Sequence, residues 1–427
     1  MFFDLDASYS CFWPPMIFIA SLSFAAWVYL ALFHGLFWRS KPVLEMCKPI
    51  GKAKVAVVVP ARDEAASIER CLRSLLTQNY AGELAIILVD DNSTDGTAQL
   101  ASALAASLDN GAQLAIINGK PLEPGWSGKL WAVDQGLAHP LAAAADYVLL
   151  TDADIEHAPD HVSTLVAKAE ADGLDLVSEM VRLNCATFAE RALIPAFVFF
   201  FQMLYPFAWT ADPRKRTAGA AGGTMLVARA ALSRIDGVRC IRHQLIDDCA
   251  LAKEIKSSGG RIWIGHSEHA VSLRVYPSWR EVWNMIARTA YVQLNHSPLL
   301  LAGSVLGMGL LYVAPPVLAL KGASHLLLSQ DSAGAPSLTT FFVGKGGGEE
   351  GITALAGFSA WLLMAALFQP TLRRYRVSPL WGLVLPAIGL FYLCATVASA
   401  FRHYAGRGGG WKNRVYPEQR GPDQRGA

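Results

Sequence analysis

The placement of apolar residues constrains this chain most. Met16 to Trp38 reads MIFIASLSFAAWVYLALFHGLFW, long enough to cross a bilayer as a helix and free of Lys, Arg, Asp and Glu. Three more stretches of this kind, Pro298 to Leu320, Ile352 to Gln369 and Pro379 to Phe401, lie toward the other end. A composition of 53% hydrophobic and only 17% charged residues over 427 positions agrees with a membrane protein. The first stretch lacks the basic n-region of a cleavable signal and reads as a retained anchor. No Lys or Arg precedes it, whereas Arg39, Lys41, Lys48, Lys52 and Lys54 follow, so the positive-inside rule places the next residues in the cytosol, at the inner (plasma) membrane. Four regions result: an anchor over 1–40, a hydrophilic domain over 50–295, a bundle over 298–405 and a polar basic tail over 406–427. Three spans after a cytosolic domain leave the tail outside, although its basic residues and Arg373, Arg374 and Arg376 all favour the inside.

Two partner classes fall away on composition. A formal charge of +2, with no basic patch interleaved with aromatics, gives no footprint for nucleic acid. The seven cysteines are scattered, odd in number and without a C-x-x-C pair, so neither a disulfide framework nor a zinc site is expected.

The hydrophilic domain reads as α/β. KVAVVVP, LAIILVDD, AQLAIIN and DYVLLTD are short runs rich in aliphatic residues, and helical patterns such as EAASIERCLRSLLTQ separate them. That alternation implies parallel strands with right-handed crossovers, and ligands of such sheets bind at the carboxyl ends of the strands. Asp63 and Glu64 follow the first strand, Asp90 and Asp91 end the second, and Asp152 and Asp154 end the fourth, which puts these acids on one rim. Asp152 and Asp154 flank a single alanine, where like charges raise each other's pKa. Either they cap the next helix, or a divalent cation reconciles them.

Five blocks, VVVPARDEAASIERCLRSLLTQNY, LVDDNSTDGT, GKLWAVDQGL, LLTDADIEHAPD and IDDCALAKEIK, occur in this order across roughly residues 54–290. Together they resemble the family 2 glycosyltransferases of GT-A fold. PGWSGKLWA, AFVFFFQMLYPFAW, AAGGTMLVAR and IARTAYVQLNHSPLLLAG further resemble the hopanoid-biosynthesis-associated branch of that family. The resemblance implies a parallel-majority sheet flanked by helices and a nucleotide-sugar donor. It implies Mg²⁺ or Mn²⁺ bound by Asp154, with Asp152 completing the metal shell or holding the ribose. It assigns Asp91, Asp90 and Glu64 to the nucleotide pocket and Lys129 to the diphosphate. At Asp63 the family more often carries Asn, and no role is assigned.

For the acceptor side the resemblance points to Asp248 as the base of an inverting transfer, with Asp247 standing where the family has Glu. On propensity alone the same pair would cap the helix CALAKEIK. Gly222 and Gly223 in AAGGT form either a plain turn or the place where donor sugar and acceptor meet. Ala192 to Trp209 is apolar, yet a crossing there would separate Asp152 from Asp248, so an interfacial helix or a groove wall for a lipid is expected. Lys253 and Lys256 read as a solvated helix face. The family's processive synthases carry Q-x-x-R-W, whereas MIART keeps only Arg288, a further candidate for the diphosphate. Transfer of one sugar to a membrane lipid, a hopanoid by the branch resemblance, is therefore the expectation. The alternatives are a processive polysaccharide synthase and a non-catalytic scaffold of a lipid-synthesis complex.

Overall fold

The computed structural model describes residues 13–47, 51–108, 113–330, 348–406, 410–411 and 414–415. Apart from Gly406 and the paired two-residue strands Gly410–Trp411 and Arg414–Val415, the basic tail lies outside the described residues. The fold comprises two compact units that alternate along the chain. One takes Met1–Arg39, Arg191–Met203 and Trp279–Phe401, and the other takes Ser40–Glu190, Leu204–Ser278 and Arg402–Ala427.

The second unit is built on eight strands: β1 (Val55–Ala61), β2 (Leu84–Asp90), β3 (Gln113–Asn118), β4 (Tyr147–Thr151), β5 (Ile155–His157), β6 (Leu176–Arg182), β7 (Thr224–Ala228) and β8 (Ile262–Ser272). Their order is β3-β2-β1-β4-β7-β6-β8-β5. Pairings β1–β2, β2–β3, β1–β4 and β6–β8 are parallel. Pairings β4–β7, β6–β7 and β5–β8 are antiparallel, so the sheet is mixed with a parallel majority.

Period-two alternation sends successive residues of the buried strands to opposite faces. Val55, Val57 and Val59 of β1 join Ile86, Leu88 and Leu149 in one core, under the helices Ile68–Leu76 and His161–Asp172. Ala56 and Val58 join Ile87, Val89, Val148 and Leu150 in another, under the helices Gly128–Leu137 and Asp247–Ser257. Both faces of β1 are covered, which is why VAVVVPA is buried throughout and reads as a continuous apolar run. Gly136 permits the closest helix–sheet approach: a Cβ there would lie 2.4 Å from Val58 Cγ1.

The topology collects loop residues on one rim. Parallel β1, β2 and β4 deliver their carboxyl ends to the same edge, with Ala61 opposite Asp90 in the ladder. Strand β7 runs antiparallel to β4 with Thr224 opposite Thr151, so the glycines before it arrive beside the residues that follow β4. Asp152 and Asp154 sit in the turn between β4 and β5, and the next helix starts only at His161. The capping alternative for this pair is thereby removed.

In the first unit, Pro14–Leu32, Pro298–His325, Glu349–Arg374 and Trp381–Tyr404 are long and apolar enough to cross a bilayer, which makes this a membrane protein. They overlap the four apolar stretches of the sequence, although the first helix stops at Leu32, short of Trp38. A π-helical turn at Gly309–Val313 loosens the local ladder. The carbonyls of Leu310 and Leu311 accept hydrogen bonds from Ser23 Oγ at 2.8 Å and Trp27 Nε1 at 2.9 Å, joining the N-terminal helix to the later ones. Residues 191–203 of the helix Phe188–Leu204 pack within this unit. The Phe199 ring lies 5.2 Å from Phe37 and 5.1 Å from Phe368, and the Tyr392 hydroxyl donates to the Leu193 carbonyl at 2.9 Å. This part of the segment lies in the interior of the unit. Arg288 lies on the helix Trp279–Gln293 of the same unit.

Candidate active site

The loops after β1 and β2 are tied together by side chains. Thr94 N–H donates to Asp63 Oδ1 at 2.8 Å, and Asp63 N–H donates to Ser93 Oγ at 2.9 Å. Asp63 adopts φ +51°, a left-handed conformation that Asn and Asp tolerate better than most residues, which fits the family's preference for Asn there. Its position is structural: it joins the two loops. Glu64 N–H donates to Thr97 Oγ1 at 2.9 Å, while its Oε2 accepts Ser67 Oγ at 3.3 Å. Asp91 is buried, with Arg62 Nη1 donating to its carbonyl at 2.6 Å and lying 3.4 Å from its Oδ2. Asp90 is buried too; Ser93 N–H lies 3.4 Å from its Oδ2, and among the described residues its Oδ1 has no hydrogen-bond partner. A buried carboxylate oxygen in that state is unusual and marks a place for a ligand donor.

Lys129 stands in the first turn of the helix Gly128–Leu137 and unites the two halves of the site. Its Nζ is 2.8 Å from Asp152 Oδ1 and 3.0 Å from Asp247 Oδ2. Burial works against the Lys129 charge, but the two carboxylates outweigh it and hold its pKa above the ordinary value. Asp154 is pushed up to about 6 by burial first, then by the Asp152 and Glu64 charges, with Arg274 and Lys129 opposing. Arg274 Nη1 is 3.7 Å from Asp154 Oδ2. Both acids of the pair therefore have a protein cation as neighbour, a resolution that the linear reading, with only a helix cap or a metal in view, leaves out.

Asp248 faces Asp247 across the start of the helix Asp247–Ser257. The residue before that helix is Ile246, which has no capping side chain, so the acidic pair does not occupy the cap position. Instead Asp248 Oδ2 accepts Gly222 N–H at 2.9 Å and Oδ1 accepts Cys249 N–H at 2.7 Å. Burial, followed by the Asp247 charge, pushes Asp248 up to about 6, against the pull of Lys129 and the two N–H groups. A Cβ on Gly222 would lie 3.4 Å from Asp248 Oδ2 and 3.5 Å from Lys129 Nζ, so any side chain here would stand directly against both charged groups. At Gly223 a Cβ would meet both Val181 methyls at 3.0 Å.

The structure thus brings Lys129, Asp152, Asp247, Asp248 and Gly222 together, with Asp154 beside them; Arg288 belongs to the other unit. Lys256 departs from the solvated face read for it, donating to the carbonyls of Trp209, Thr210 and Thr217 at 3.2, 2.6 and 2.7 Å and holding that loop to the helix. Arg62 and Arg274 escape sequence reading. Arg62 stands inside the quoted block, but Arg274 reaches Asp154 only through the pairing of β5 with β8, seen also in Leu273 N–H donating to the Asp154 carbonyl at 2.7 Å.

Among the described residues no three His, Cys, Asp or Glu groups converge as a closed metal cage. Asp152 and Asp154 nevertheless fit a hard cation, because Mg²⁺ takes one or two carboxylates and fills its remaining positions with substrate phosphate and water. The crowding that lifts Asp154 toward neutrality is relieved by positive charge in the same place.

Residues 56–235 match the family model described as Glycosyl transferase family 2. An undecaprenyl-phosphate 4-deoxy-4-formamido-L-arabinose transferase of Shewanella sediminis is 32% identical over 130 residues, 30% of this chain and 36% of the relative. The protein of that name from Salmonella choleraesuis is 29% identical over 133 residues, 31% of this chain and 37% of the relative. The chain spans about a third of the length of these curated relatives. Among solved structures, the mannosyltransferase of Pyrobaculum calidifontis, determined with GDP-Man and Mn²⁺, superimposes with a TM-score of 0.54 at 20% identity, over 90% of this chain and 99% of that one. Residues 56–235 thus match a family 2 glycosyltransferase domain, and they lie on a mixed α/β sheet of GT-A type.

Proposed function

We propose that the protein is a membrane-bound inverting glycosyltransferase that moves a sugar from a nucleotide-diphospho-sugar to a lipid acceptor, with residues 50–295 as its catalytic domain on the cytoplasmic side of the plasma membrane. The observation that carries this reading is Lys129 held between Asp152 and Asp247, with Asp248 beside them on a glycine N–H. That arrangement sets a fixed positive charge on the donor side and a carboxylate on the acceptor side of one rim.

Asp91 and Asp90 receive the nucleoside, and the open Oδ1 of Asp90 is an acceptor available to its N–H or hydroxyl groups. Lys129 attracts the diphosphate. Asp154 and Asp152 would hold Mg²⁺ or Mn²⁺, which when bound neutralises the leaving diphosphate as the anomeric C–O bond breaks. The mannosyltransferase solved with Mn²⁺ is consistent with such a metal. Asp248 takes the proton of the attacking hydroxyl, and Gly222 and Gly223 leave room for the sugar and the acceptor. With its pKa near 6, Asp248 is ionised at neutral pH yet basic enough to accept that proton.

The acceptor class follows from whether a base is needed. A phosphate monoester is already largely ionised at neutral pH and attacks without one, whereas a hydroxyl needs its proton removed. The undecaprenyl phosphate in the relatives' names is of the first kind. The placement of Asp248 favours the second, in line with the hopanoid-branch resemblance. Purified protein, supplied with nucleotide sugars and separately with hydroxylated hopanoids and polyprenyl phosphates, is expected to glycosylate the hydroxyl lipid in a cation-dependent way. Full turnover in excess chelator, or a product on polyprenyl phosphate alone, contradicts this reading. A long insoluble glycan identifies a processive synthase, and no product with any donor a scaffold.

A further inference from the structure

A chain of buried polar side chains runs from β6 to the end of β4. Thr151, His157, His161 and Glu179 are at most 3% exposed. Thr151 Oγ1 lies 2.8 Å from the Gly223 carbonyl and 3.1 Å from His157 Nε2; His157 Nδ1 lies 2.7 Å from His161 Nδ1; and His161 Nε2 lies 2.5 Å from Glu179 Oε2. The two imidazoles stack at 5.0 Å, and His269 of β8 stacks on His161 at 6.4 Å.

The directions of these hydrogen bonds follow from one fixed end. A carbonyl oxygen only accepts, so the Thr151 hydroxyl gives its single proton to Gly223. His157 Nε2 must then donate to Thr151, which leaves His157 Nδ1 as a lone pair in the neutral ring. His161 Nδ1 donates to that lone pair, so in a neutral His161 ring Nε2 is an acceptor and faces Glu179 Oε2. Two acceptors cannot share a hydrogen bond without a proton between them. The His161–Glu179 pair therefore holds one proton in addition to those of a neutral ring and a carboxylate.

We propose that Glu179 retains this proton as a neutral carboxylic acid and, through His161, His157 and Thr151, acts as a positioning residue for the Gly222–Gly223 turn that presents an N–H to Asp248. The Gly223 carbonyl accepts the Thr151 hydroxyl and, also at 2.8 Å, the Thr224 hydroxyl, and the neighbouring Gly222 N–H donates to the carboxylate assigned as base. The functional part of the inference thus rests on that assignment of Asp248. Burial, followed by the nearby His269, pushes His161 down to about 3, and burial with His161 as neighbour holds His157 well below the ordinary histidine value. Desolvation of both rings therefore favours their neutral forms, with the extra proton of the hydrogen-bonded chain on Glu179.

The test has a spectroscopic arm and a kinetic arm, both on the full chain in detergent or nanodiscs. At pH 8, where Asp154 and Asp248 are ionised, infrared difference spectra between wild type and Glu179→Gln should show the loss of one protonated-carboxyl band. Absence of that loss overturns the proposal. Gln keeps an N–H donor toward His161, so Glu179→Gln should keep kcat within about threefold. Glu179→Leu removes the donor and should lower kcat about 10- to 100-fold, as loss of an outer-shell positioning contact does, with the donor KM little changed. Equal losses for Gln and Leu, or none for Leu, also overturn it. Should the Leu variant fail to fold, Thr151→Val breaks the chain at its far end at nearly constant volume and is expected to lose a similar factor, while Thr151→Ser restores it. Equal activity of those two variants counts against the proposal. If Asp248→Asn remains fully active while the carboxyl band behaves as expected, the assigned base is wrong and the proton on Glu179 stands.

Discussion

Two carboxylates near the same lysine are proposed to have different tasks, and their neighbours separate them. Asp248 accepts two backbone N–H groups, whereas Asp152 accepts the ammonium of Lys129 directly. Asp248→Asn keeps shape and most hydrogen bonding but removes the proton acceptor. Turnover on a hydroxyl acceptor should fall by about 10²- to 10⁴-fold with donor affinity almost unchanged. Asp154→Asn should instead weaken both nucleotide binding and turnover, because it removes a proposed metal ligand. Isothermal titration with the nucleotide beside steady-state rates separates the two outcomes; a lost donor affinity in Asp248→Asn would shift the base to Asp247. The acid limb of the pH profile has a definite sign. Asp248 is raised to about 6, so its base form is lost as pH falls through about 6, and kcat/KM should decline on the acid side and level off above it. A profile flat from pH 5 to pH 8 would exclude Asp248 as the ionisation that limits the reaction.

The helix Gly128–Leu137 shows how an element sets a charge. It lies on the sheet through Leu130, Val133 and Leu137, and Gly136 lets it approach Val58. That contact determines where the first turn, and with it Lys129, stands over the rim. Gly136→Ala puts a methyl group into space already filled by Val58 and Val89, and should cost about 1–3 kcal/mol of stability by overpacking. Thermal unfolding of the variant in detergent should show a lower midpoint, and activity at low temperature should fall as Lys129 is displaced. An unchanged midpoint would mean that the sheet yields without cost. Strand β7 works similarly on the acceptor side, where its antiparallel pairing with β4 carries Gly222 to Asp248.

Four helices able to cross a bilayer and a glycosyltransferase domain on one chain make orientation an experimental question with a simple handle. Cys47 and Cys240 are exposed in the unit that carries the domain, and Cys71 and Cys249 are buried there. With the domain in the cytosol, a membrane-impermeant maleimide should label Cys240 in inside-out vesicles and leave it unlabelled in intact cells. Labelling in intact cells would reverse the proposed orientation.

The spans, the strand–helix alternation and the acids at strand ends were legible in the linear chain because each depends on nearby residues: transfer of an apolar run into lipid, a period of two or 3.6, a carboxylate placed where a strand stops. Asp152 and Asp154 could be named that way, whereas Lys129, Asp248 and the roles proposed for all four came from the family's blocks. What the linear chain did not contain was their company. Arg274 arrives at Asp154 through the β5–β8 ladder, Lys256 turns inward to three carbonyls, residues 191–203 are buried among the helices of their unit, and Glu179 meets His161 across the interior. Whether a carboxylate is ionised, paired with a lysine or left holding a proton depends on desolvation and on charges a few ångströms away. Those quantities exist only once distant parts of the chain have been packed together.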